Sequence, residues 1–230
     1  MNSCESAYSS VRRRIAAASA ASGRGEPVRL LAVGKTKPPE ALRELAAQGQ
    51  TAFGENYVQE ALAKQTSLAD LDLEWHAIGP LQSNKCRDVA RHFDWLQTLD
   101  RAKLIGLLAR YRPADRAPLN VLIQVNIDDE SSKSGCAPGA VAGLAASIGQ
   151  QPALRLRGLM AIPAPLPDLA RRRTAFARMR DIFDRLAASD PSVDTLSMGM
   201  SDDFELAIAE GSTMVRIGTA LFGPRRPIDP

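Results

Sequence analysis

Histidine is nearly missing from this sequence: His76 and His92 are the only two in 230 residues. No Cys, Asp or Glu stands beside them at ligand spacing, so a structural metal site is not expected. Cysteine is scarce too. Cys4, Cys86 and Cys136 are odd in number, far apart and form no C-x-x-C pair, which reads as reduced thiols in a cytoplasmic protein. No apolar run approaches the roughly 20 residues of a membrane span. Neither sign of charge dominates: 29 basic against 26 acidic residues leave a formal +3, too little to point to nucleic acid or an acidic membrane face. Internal repeats, low-complexity tracts and Pro/Gly linkers are absent as well. With 45% hydrophobic residues, the chain suits one domain, and an α/β barrel of about 200–250 residues fits without a second.

What is present is an alternation. Short apolar runs lie at Val28–Val33, Ala52–Phe53, Glu74–Ile78, Trp95–Leu99, Leu119–Val125, Leu154–Met160, Thr195–Ser197 and Met214–Ile217. Amphipathic stretches separate them, among them Glu40–Ala47, Arg101–Arg112, Ala140–Ile148, Arg171–Ala188 and Asp202–Ala209. Strands alternating with helices imply βαβ units on a parallel sheet. Eight such runs favour a single closed (β/α)8 barrel of the TIM type over an open doubly wound sheet, which shares the same alternation. Pro38-Pro39-Glu40 marks a helix start, and Gly211 marks a helix end, since glycine enters the left-handed region cheaply. Residues 1–25, rich in Arg, Ser and Ala, resemble a transit peptide only superficially. Tyr8, Val11, Ile15 and Ala18 recur at helical spacing, so a first helix packed on the barrel is expected, with Arg12–Arg14 towards solvent.

Special residues gather directly after the strands: Gly34-Lys35-Thr36-Lys37, Gly54-Glu55-Asn56-Tyr57, Gly79 to Lys85, Met198 to Asp203, and Gly218-Thr219. In a barrel these ends converge on one face, where small-ligand sites sit. Lys35 leaves a buried strand, where apolar walls strip hydration from an ammonium and make the neutral amine accessible to an aldehyde. Lys37 shares its parity and is the rival. Gly34-Lys35-Thr36 also matches the tail of a phosphate-binding P-loop, but the glycine that motif needs is Arg29, on the strand itself. Alternation turns Arg216 inward between Val215 and Ile217. It then either joins an internal ion pair, with Glu55 or Asp202, or bonds a buried ligand. Ser201, Gly218 and Thr219 offer hydroxyls and amides for an anion, and a helix cap, the ordinary role of such a serine, is compatible with that for Ser201. Asp202 and Asp203 must point away for that to hold. His76 reads as core hydrogen bonding, Tyr57 as wall packing, Gln82 as loop closure and Arg171–Arg173 as a solvated helix face. Lys133, in a loop near the mouth, could attract a phosphate.

Taken together, these blocks resemble the pyridoxal-phosphate homeostasis proteins, related to the amino-terminal barrel domain of alanine racemase. The matching stretches run from Leu31 to Gly223 and include Val33-Gly34-Lys35-Thr36-Lys37-Pro38, Phe53-Gly54-Glu55-Asn56-Tyr57, His76-Ala77-Ile78-Gly79-Pro80-Leu81-Gln82-Ser83-Asn84, Ser132-Lys133-Ser134-Gly135, Ser197-Met198-Gly199-Met200-Ser201-Asp202-Asp203 and Val215-Arg216-Ile217-Gly218-Thr219. The resemblance implies that pyridoxal 5'-phosphate (PLP) forms a Schiff base with Lys35 and that Asn56 meets its phenolic oxygen. It implies further that Arg216 faces the pyridine nitrogen, and that Ser201, Gly218 and Thr219 hold the phosphate, with Met200 beside it. Gly34 replaces a serine of some relatives, expected to leave the lysine in place. The tail 224–230 is expected to vary. An arginine at the ring nitrogen, with no second domain before Pro230 to supply an opposing base, implies storage or delivery of PLP to apo-enzymes rather than racemisation. Tyr57 or His76 would have to be the second base of a racemase. A monomer is expected, binding PLP and other B6 vitamers.

Overall fold

The computed structural model describes residues 3–23, 27–128, 134–164 and 168–223. Eight parallel strands close into a barrel in sequence order: β1 Arg29–Val33, β2 Ala52–Glu55, β3 Glu74–Ala77, β4 Trp95–Leu99, β5 Leu119–Gln124, β6 Leu154–Met160, β7 Thr195–Ser197 and β8 Met214–Ile217. Closure is made by β1 on β8, with Leu31 beside Arg216 and Ala32 beside Ile217. The helices are α1 Ser3–Ala21, α2 Pro39–Ala46, α3 Val58–Ser67, α4 Cys86–His92, α5 Ala102–Tyr111, α6 Val141–Gly149, α7 Leu169–Ser189, α8 Phe204–Ala209 and the single turn α9 Thr219–Phe222. Lys133, the loop around it and the tail 224–230 lie outside the described residues, as does the side chain of Cys4.

Strand parity divides the core in two. Leu30, Ala32, Phe53, Leu96, Val121, Val215 and Ile217 point outward into the apolar layer under the helices. Their neighbours Leu31, Val33, Ala52, Ile78 and Met214 fill one part of the barrel interior, and Trp95, Leu122 and Met160 another. The strands are apolar on both faces because both faces are covered. The first helix packs as its stripe predicts: Tyr8, Val11 and Ile15 are buried, Arg12, Arg13 and Arg14 exposed. It rests on α8 and α9, where Arg14 pairs with Glu205 at 2.5 Å and covers the Phe204 ring at 4.5 Å. Pro39 opens α2, and Gly211 follows α8 at φ 111°, as read from the sequence. No helix among the described residues is long and apolar enough to cross a membrane.

Two glycines on this frame behave oppositely. Gly158 interrupts β6 at φ 142°, beside the register shift between β5 and β6, and a Cβ there would lie 1.9 Å from the Thr195 carbonyl oxygen. Gly106 sits on the exposed side of α5, where a Cβ meets nothing within 4 Å. Gly158→Ala is therefore expected to cost about 3 kcal/mol, and Gly106→Ala to add about 0.5–1 kcal/mol. Urea denaturation reads both; equal effects of one sign would contradict the assignment.

Candidate functional site

The polypeptide leaves β1 through a tight turn. The Lys37 N–H donates to the Gly34 carbonyl at 2.9 Å, and Thr36, the third residue, stands at φ 62°. That geometry ordinarily demands glycine. Two residues that the sequence gives no evident role, Glu60 and Lys64, hold it. Glu60 accepts the Thr36 N–H at 2.7 Å. Lys64, only 3% exposed, donates to the Gly34 carbonyl at 2.8 Å, Glu55 Oε1 at 2.8 Å and Glu60 Oε1 at 2.6 Å. Glu60 and Lys64 stand four apart on α3, a spacing that in sequence looks like an ordinary surface pair. Burial pushes the Glu55 carboxyl up to about 7 against the pull of Lys64. Gly34 is tighter than expected, since a Cβ there would lie 2.5 Å from Glu55 Oε1. A serine would press on that buried carboxyl, whereas with glycine in place Lys35 lines the cavity described below, as expected.

Arg216 does turn into the barrel, 4% exposed, but neither Glu55 nor Asp202 pairs with it. Glu55 faces outward to Lys64. The guanidinium instead donates from Nη1 to the Ser197 carbonyl and Oγ, each at 2.8 Å, and from Nη2 to the Ala161 carbonyl at 2.8 Å. Burial lowers it to about 10, which leaves it cationic at neutral pH. A guanidinium only donates, so Ser197 Oγ must pass its own proton onward, to Gln97 Oε1 at 2.7 Å. Gln97 Nε2 then donates to His76 Nδ1 at 3.0 Å, and His76 Nε2 to Glu74 Oε1 at 2.7 Å. Arg29 closes the line on the same Glu74 oxygen at 2.7 Å. The cation at one end and the carboxylate at the other fix the direction of every bond between them. His76 is fully buried and stacked on Trp95 at 5.1 Å, so core hydrogen bonding was the right reading of it. Burial pushes its imidazolium down, although Glu74 opposes. Burial by itself would raise Glu74, but the His76 hydrogen bond and the Arg29 charge hold it well below the carboxylate range.

At the other side of the mouth, Ser201 does not cap α8, which starts only at Phe204 after Asp203. Its Oγ instead accepts the Ala220 N–H of α9 at 3.3 Å. Asp203 folds back, accepting the Met200 N–H at 2.7 Å, whereas Asp202 stays at the rim and lines the cavity. The expectation that both acids turn away holds only for Asp203.

These elements enclose one cavity of about 240 Å³ at the C-terminal end of the barrel. Lys35, Asn56, Met200, Ser201, Arg216, Gly218 and Thr219 all line it, between apolar walls of Val33, Ile78 and Ile162. Lys37 lines it too, but its Nζ is engaged with the Phe222 carbonyl at 3.0 Å. His76 and Gln82 are not among its walls; Gln82 closes its loop by accepting the Lys85 N–H. Tyr57 is 62% exposed, not packed in a wall, because it precedes α3 in extended conformation and the following helix carries it outward.

The one-way hydrogen-bond line has a pH signature. A histidine whose folded pKa lies below its unfolded value of 6.5 contributes stability that is present above pH 6.5 and lost as pH falls through it. Nitrogen-15 NMR of His76 is expected to show the neutral Nε2–H tautomer, still present as pH falls through 6.5. An imidazolium signal appearing near pH 6.5 in the folded protein would refute this.

The alanine racemase N-terminal domain family model matches residues 7–226. The chain is 56% identical to the pyridoxal phosphate homeostasis protein of Pseudomonas aeruginosa, over 94% of this chain and 93% of that one. It is 52% identical to the protein of that name from Escherichia coli, over 98% of each. The structure of PipY from Synechococcus elongatus with PLP bound superposes with a TM-score of 0.79 at 39% identity, covering 91% of this chain and all of PipY. With near-complete coverage of both partners, this chain belongs to the alanine racemase N-terminal domain family and, within it, to the pyridoxal phosphate homeostasis proteins.

Proposed function

We propose that this protein holds PLP covalently on Lys35 and serves intracellular PLP homeostasis, buffering the cofactor or passing it to apo-enzymes. The observation that carries the reading is the donor set of the cavity: a lysine amine, a buried arginine with carbonyl and hydroxyl partners, and two hydroxyls beside the α9 turn. Those groups match an aldehyde, a ring nitrogen and a phosphate on one planar ligand. Bound there, PLP would supply an electrophilic aldehyde carbon and a conjugated ring, and the Lys35 amine would hold it by displacing the aldehyde oxygen as water. Asn56 takes the phenolic oxygen, Arg216 the ring nitrogen, and Ser201, Gly218 and Thr219 the phosphate, with Met200 against it. Other phosphorylated B6 vitamers would share the cradle, but only an aldehyde can bond to Lys35. The relatives' names and the PLP bound by PipY support the assignment.

Arg216 also bears on turnover. As a cation that can only donate, it keeps the pyridine nitrogen unprotonated and the ring a weak electron sink. Neither candidate for an opposing base suits that role, because His76 is bonded at both ring nitrogens and Tyr57 is not in the cavity wall. Holding the cofactor therefore outweighs chemistry on it. Buried thiols at Cys86 and Cys136, raised by burial, suit the reducing cytoplasm, where we place the protein.

Mixing the protein with PLP and desalting is expected to leave a visible absorbance band. Lys35→Ala should abolish it, and Lys37→Ala should retain most of it. Borohydride reduction and peptide mass spectrometry should place the adduct on Lys35. An adduct on Lys37, or none, would overturn the reading. Delivery is tested separately, by mixing loaded protein with an apo-enzyme and a trap for free aldehyde; transfer no faster than simple release argues for buffering alone.

A further inference from the structure

The turn that presents Lys35 is strained, and its strain is answered by a buried device. A β-branched residue at φ 62° is sterically strained and persists only where its surroundings over-determine it. Here the surroundings come from α3. Glu60 takes the Thr36 N–H, while Lys64 donates its three protons to Gly34 O, Glu55 and Glu60. An ammonium buried to this degree is tolerated only because all three acceptors are present. Glu55, covered on every side, anchors the ammonium from the strand next door, so β2 and α3 jointly grip the backbone on both flanks of Lys35.

We propose that Glu60 and Lys64 are positioning residues for Lys35: they hold the Gly34–Lys37 turn left-handed at Thr36, which aims the lysine amine into the cavity. Neither residue lines the cavity itself. They act through the backbone, on where the amine emerges. The inference rests on the PLP reading above for its consequence, but the turn itself can be read without any cofactor.

Two measurements on the full chain separate the cases. Hydrogen exchange, without PLP, is expected to find the Thr36 amide protected although its residue is exposed. Glu60→Ala should remove that protection, and Glu60→Gln, whose side-chain oxygen still accepts, should keep it. On mixing with PLP, the visible band should form about tenfold more slowly in Glu60→Ala, the factor to which ~1.4 kcal/mol corresponds. Glu60→Gln should stay within about threefold of the parent protein. The decisive variant is the double one. Thr36→Gly makes positive φ free of steric cost, so adding it to Glu60→Ala should restore the rate to within about threefold of Thr36→Gly alone. General loosening of the fold would instead be worsened by an extra glycine. An unprotected Thr36 amide in the parent, an unchanged rate in Glu60→Ala, or a double variant as slow as Glu60→Ala would each overturn the proposal. A band that persists in Lys35→Ala would instead sink the PLP reading and leave the exchange result standing.

Discussion

A guanidinium sealed inside a parallel barrel sets the terms for everything around it. Arg216 is almost wholly buried and takes no carboxylate from Glu55 or Asp202, so its burial is offset by carbonyls of β7 and the segment after β6 and by the Ser197 hydroxyl. Because arginine accepts nothing, each group behind it is oriented in turn, through Gln97 and His76 to Glu74 beside Arg29 at the opposite end of the barrel. The arrangement fixes a cation at the floor of the cavity without neutralising it. An ion-paired arginine would offer a ligand much less.

Lys35 is governed by the same constraint on the other wall. Its strand delivers it to the mouth, but the direction of its side chain depends on a turn that sequence preference alone would not form. Threonine at positive φ is held by acceptors and donors on α3. Both cations of the cavity thus take their placement from polar groups that lie outside the cavity lining. Such networks stabilise little on net and confer geometry instead.

The strands were legible because a sheet covered on both faces needs apolar residues at every position, and runs such as Val121-Leu122-Ile123 have no other use. Parity on β8 was enough to turn Arg216 inward. Resemblance chose Lys35 over Lys37, and the Lys37–Phe222 contact gives that choice a physical companion. What sequence could not reveal were partners drawn from distant strands. Gln97 and Ser197 lie 100 residues apart in the chain yet share a hydrogen bond, and two of the groups that satisfy Arg216 are backbone carbonyls. Glu60 and Lys64 have the spacing of a solvated helical pair, and only the packing of α3 against β2 buries Lys64 and draws Glu60 to it. For Ser201 the sequence allowed a helix cap beside the phosphate role, because helix starts attract serine; the residues intervening before α8 remove the cap and leave its Oγ to the Ala220 N–H of α9.

Arg216, cationic and without a carboxylate partner in Glu55 or Asp202, acts on the charge of whatever lies before it. Nitrogen-15 NMR of the protein loaded with ring-labelled PLP reads that charge directly. The predicted shift is that of a neutral pyridine nitrogen, and Arg216→Glu should move it to the pyridinium range. A pyridinium shift in the unaltered protein would contradict the account.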